Sequence, residues 1–102
     1  MRSLPVACDS SAFGSSQAFD SHLAEGRRLL SQAMERCELP DGWALRLPGE
    51  DAAVMACARW ILDERRCCPF LTFSLEVQAT GDLWLRLTGP EGTKDILAAE
   101  LR

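Results

Sequence analysis

Leu71, Phe73, Leu75 and Val77 alternate with Thr72, Ser74, Glu76 and Gln78, and beyond Thr80-Gly81-Asp82 the run resumes as Leu83, Leu85 and Leu87 against Trp84, Arg86 and Thr88. Period-two alternation on both sides of a turn predicts a β-hairpin with its leucine-rich side buried. Trp43, Leu45 and Leu47 alternate with Ala44 and Arg46 after the turn-forming Leu39-Pro40-Asp41-Gly42, which predicts a further strand with one buried face. Ser3-Leu4-Pro5-Val6-Ala7-Cys8, closed by Asp9-Ser10-Ser11, has the composition of a short first strand.

Elsewhere the period changes to that of a helix. Phe19, Leu23, Leu30, Ala33, Met34 and Cys37 fall on one stripe behind the capping hydroxyls of Ser15-Ser16, predicting a first helix over 16–37. Gly26 lies on that stripe, where it costs about 1 kcal/mol relative to alanine and so points to a close backbone crossing. Val54, Cys57, Ala58 and Ile61 repeat at three- and four-residue steps after Asp51, a capping residue, and Pro69 should stop this second helix. Thr88-Gly89-Pro90-Glu91 has the spacing of a capping box, followed by Ile96, Leu97 and Leu101 on a short final helix. One-sided strands and amphipathic helices describe an α+β two-layer sandwich: a mostly antiparallel sheet of three or four strands with helices on one face. Trp84, on the other face beside Arg86, is a large aromatic to leave in water, and it suggests a homodimer surface unless neighbouring side chains cover it.

A chain of 102 residues makes one domain, 1–102, and its 47% hydrophobic and 25% charged residues suffice for an ordinary core without cystine staples. The net charge of -4 removes the electrostatic drive toward a phosphate backbone, so nucleic acid is not an expected partner. No apolar run reaches the length of a membrane span, and Met1-Arg2-Ser3-Leu4-Pro5 lacks the apolar stretch of a secretory signal. A cytoplasmic location is the expectation. Hydrolytic and nucleotide-dependent enzymes are not expected either, because no nucleophile triad or phosphate loop can be assembled. His22, the single histidine, is read as a surface or capping residue.

Cysteine is the departure from the ordinary, with five thiols in a chain expected to lie in a reducing compartment. Cys57 shares the core stripe of the second helix and Cys37 ends that of the first, so both read as packing residues. Cys67 and Cys68 are different. Adjacent side chains diverge by about 100° on a helix, but Pro69 pushes Cys68 towards an extended conformation and frees its direction from that of Cys67. Two thiolates brought together this way suit a thiophilic ion such as zinc, copper(I) or mercury(II), with Cys8 as the third thiol. Cys57, eleven residues before Cys68, would lie about 16.5 Å away along a continuous helix and cannot join them. Glu64, one turn earlier, is placed to act as a ligand, a proton acceptor or the partner of a neighbouring arginine. Three readings remain open for the pair: metal binding, a strained redox couple, and packing at a helix-to-sheet joint within a non-catalytic interaction module.

The stretch ERRCCPFLTFSLEV, followed by LWLRLTGPEGTKDIL, resembles a group of small bacterial proteins that share an ERxCCPF core, a similar hairpin and a final helix. LPVAC near the start and LPDGWALRLP in the middle are similar as well, so the resemblance covers most of the chain. It implies a stand-alone bacterial cytosolic domain. The group has no assigned reaction, and the resemblance brings no catalytic role to Cys67 or Cys68.

Overall fold

A computed structural model describes residues 9–100. After a short 3-10 turn at Ser10–Phe13, the elements run α1 (Ser16–Leu30), β1 (Glu35–Leu39), β2 (Gly42–Leu47), α2 (Asp51–Cys67), β3 (Thr72–Val77), β4 (Leu83–Thr88) and α3 (Thr93–Glu100). The strands form one sheet in the order β1-β2-β4-β3, and every neighbouring pair is antiparallel. The protein is therefore α+β with a four-stranded antiparallel sheet. The segment read as a first strand, with Cys8, lies outside the described residues.

The fourth strand comes instead from the stretch read as the end of the first helix. Leu39 pairs with Gly42 across Pro40-Asp41, and the register continues to Glu35 opposite Arg46. A two-residue turn leaves the preceding segment lying directly against β2, where ladder bonds outweigh a helical spacing of Ala33, Met34 and Cys37. Helix α1 accordingly stops at Leu30, with Ser31 as its C-cap, and Met34 N already donates to Arg46 O at 2.7 Å. Smaller boundary differences have similar causes. Glu50 rather than Asp51 is the N-cap of α2 and makes no side-chain capping bond. Helix α3 starts only at Thr93, after the left-handed Gly92.

Leu45, Leu47, Leu83, Leu85 and Leu87 are fully buried, and they form one core with Leu29 and Leu30 of α1, Ala53, Cys57 and Trp60 of α2, and Leu97 of α3. Leu85 stands in the middle of this face, opposite Leu45 on one side and Leu75 on the other. The expected contribution of β3 is only partly realised: Phe73 and Leu75 are half-buried and Val77 is 59% exposed. Alternation specifies which face a residue occupies, but β3 lies at the sheet edge, where that face is incompletely covered. On the opposite face Trp84 is half-buried, with Arg46 and Glu76 as its register partners on the two neighbouring strands. Gly26 does mark a close approach, but to a side chain: a methyl group there would sit 2.8 Å from Trp60 Nε1. No described helix is long and apolar enough to cross a membrane.

Truncating Leu85 to alanine should cost about 2–5 kcal/mol, because it opens a cavity at the centre of the leucine face. Val77→Ala, on the same face but at its edge, should stay within about 0.5 kcal/mol of the parent protein. Urea unfolding of the two variants measures both, and equal losses would contradict this placement of the core.

Candidate thiol, carboxylate and imidazole site

Helix α2 ends where Pro69 requires. Cys67 is its last residue, and Cys68 leaves helical geometry at φ -122 and ψ 74 while its N still donates to Glu64 O at 2.7 Å. This last backbone bond holds Cys68 over Glu64, so that Cys68 Sγ donates to Glu64 Oε1 at 2.9 Å. The two sulfurs lie 3.8 Å apart. Pro69 thus turns neighbours in sequence into neighbours in space.

Glu64 was expected to serve as a ligand, a proton acceptor or an arginine partner. It is buried, and its other oxygen accepts from His22 Nε2 at 2.8 Å. His22 is consequently neither a surface residue nor a cap. It sits on the inward side of α1 with Gly26, Leu29 and Leu30, and its ring stacks on Phe13 at 4.8 Å and lies near-parallel to Trp60 at 6.3 Å. The signal for it was present in the helical spacing, because His22 precedes Gly26 by one turn. A polar residue with no partner nearby in sequence nevertheless reads as exposed.

Cys67, Cys68 and Phe70 form a second buried cluster, with Phe13, Phe19, Leu71 and Ile96 packed against it. The chain before the 3-10 turn is tied to the same place, since Asp9 N donates to Cys67 O at 2.6 Å. Among the described residues, Glu64, Cys67 and Cys68 present three ligand atoms all within 4.8 Å of one another. His22 stands behind the carboxylate and fixes it. Cys8, the predicted third thiol, lies outside the described residues.

The other cysteines are elsewhere. Cys57 is fully buried in the main core, where burial pushes its thiol from 9.0 up to about 11. Cys37 is half-buried on β1 rather than at a helix end, and partial burial together with Glu35, to which its thiol donates at 3.5 Å, raises its pKa.

Glu64→Ala leaves both the Cys68 thiol and the His22 imidazole without their buried partner and should cost about 3–5 kcal/mol in chemical unfolding. A His22→Ala/Glu64→Ala double-mutant cycle should give a coupling of about 0.5–3 kcal/mol. Additive losses would mean that the bond does not hold α1 to α2. Cys57 supplies a pH test. Its folded pKa exceeds the unfolded one, so its contribution is complete below about pH 9 and is lost as pH rises through about 11. Wild-type stability should therefore fall relative to Cys57→Ala across that window, and parallel curves would contradict the buried placement.

No family model matches the chain, and no curated protein or solved structure shows significant similarity to it.

Proposed function

We propose that this protein binds a tetrahedral thiophilic metal ion of the zinc type through Cys67, Cys68 and Glu64, with Cys8 as the fourth ligand and His22 holding the carboxylate. The sulfur spacing carries this reading. Two thiolates at about 2.3 Å from one ion, separated by a tetrahedral angle, stand about 3.8 Å from each other, whereas a linear two-coordinate ion requires about 4.6 Å. The distance between Cys67 Sγ and Cys68 Sγ is 3.8 Å, so copper(I) or mercury(II) in linear coordination would have to spread the pair. Glu64 offers the oxygen ligand, and the imidazole behind it resembles the outer hydrogen bonds that orient ligands at metal sites. Support for Cys8 is the hydrogen bond from Asp9, the residue that follows it, to the Cys67 carbonyl. An ion entering this site replaces the thiol protons, including the one shared between Cys68 and Glu64.

Cobalt titration of reduced protein, prepared free of chelator, provides the test. One cobalt ion per chain should give a near-ultraviolet thiolate charge-transfer band and the visible bands of tetrahedral coordination, with proton release and displacement by zinc. Cys67→Ser/Cys68→Ser should abolish the spectrum, Cys8→Ser should weaken it, and His22→Ala should lower affinity about 10–100-fold. A spectrum that survives in the double variant would refute the assignment. Loss of two hydrogens on mild oxidation, with no ion bound tighter than micromolar, would favour a redox couple; thiols inert to both treatments until the protein unfolds would reduce the pair to packing.

A further inference from the structure

Trp60 presents a polar group that neither the core nor the thiol site uses. The residue is 3% exposed, and its Nε1 is a buried donor without a hydrogen-bond partner among the described residues, a state in which folded chains rarely leave a donor. The indole edge faces Gly26, the position on α1 where any side chain would crowd it. Both residues line a pocket of about 320 Å³ bounded by α1, α2 and the end of α3, a volume in the range of small-molecule sites. Leu23, Leu30 and Ala99 give it apolar walls, and Arg27, Glu64 and Glu100 contribute charge.

These charged groups are not equally available. Both oxygens of Glu64 are occupied by His22 and Cys68. Arg27 and Glu100 make no ion pair among the described residues. Glu100 is exposed at the rim, and partial desolvation raises the pKa of its carboxyl, with the Glu64 charge adding to the rise and His22 opposing it. The pocket thus sets one buried, unpaired donor beside an apolar surface, with a cationic and an anionic side chain at its exposed rim. A simple carboxylate would satisfy the donors but face Glu100; a simple amine would satisfy Glu100 but leave the indole donor unpaired.

We propose that this pocket binds a small zwitterion of the α-amino-acid class with a short apolar side chain. Its carboxylate accepts from Trp60 Nε1 and Arg27, its ammonium group meets Glu100, and its side chain lies against Leu23, Leu30 and Ala99. Nitrogen-15-labelled, metal-free full chain tests this, with the Trp60 indole resonance assigned by its loss in Trp60→Phe. L-Leucine, 4-methylpentanoate and 3-methylbutylamine are titrated in parallel. Leucine should shift the Trp60 Nε1–H resonance downfield in a saturable way, and each analogue, lacking one charged group, should bind at least about tenfold more weakly. Glu100→Gln should weaken leucine and narrow its advantage over 4-methylpentanoate. Absence of a saturable shift, equal binding of the three probes, or an unchanged preference in Glu100→Gln would each overturn the proposal. Because neither thiol takes part and no metal is added, the result is independent of the cobalt titration.

Discussion

A carboxyl group in the interior must have both of its oxygens answered, and Glu64 meets that requirement with donors from two different elements. One donor is Cys68, which reaches Oε1 only because Pro69 ends α2 one turn beyond Glu64. The other is His22, forty-two residues earlier on α1. The second bond sets the position of α1 along α2, and the surrounding packing follows from it. Phe13 stacks on the imidazole, Trp60 lies near-parallel to it, and Gly26, one turn along α1 from His22, gives the indole its room. A polar contact is therefore held in place by aromatic surfaces, which also keep water from competing for the carboxylate.

The sheet's leucine core lies beside this arrangement and shares α1 and Trp60 with it. Its stability rests on β2 and β4, whose leucines are sealed by side chains from all three helices. The thiols belong to a separate, smaller cluster at the end of α2. Division of the interior in this way lets the large apolar cluster supply most of the folding free energy while the small one accommodates polar atoms that add little to it. Trp60 connects the two regions, as its ring lies near-parallel to His22 on one side and meets Phe73 of the sheet edge-on at 5.9 Å on the other.

Local periodicity exposed those features whose causes are local. The hairpin of β3 and β4, the body of α2, its stop at Pro69 and the meeting of Glu64 with the cysteine pair all follow from residues within one turn or one strand of each other. His22 escaped because its partner is on another helix and no local pattern links the two. β1 escaped for a different reason: Ala33, Met34 and Cys37 suit a helical stripe, and only pairing through the Pro40-Asp41 turn decides for a strand. The exposure of Val77 was hidden because alternation reveals a strand's faces and carries no information about its rank in the sheet.

The cysteine segment combines apolar packing with buried polar contacts. Phe13, Phe19 and Phe70 show that this cluster is filled largely by apolar bulk, and well-packed apolar residues in place of a buried polar pair are often neutral or stabilising by about 1–4 kcal/mol. A carboxyl, an imidazole and two thiols thus stand together where apolar side chains could have filled the space. His22 and Glu64 both support the thiols and line the pocket beside Trp60. An ion that draws Glu64 towards the sulfurs alters the wall that a zwitterion would touch. If an ion at the thiols changed the affinity for a molecule in the pocket, that molecule would change the affinity for the ion by the same factor. His22 and Glu64 are thus the side chains through which such an effect would pass.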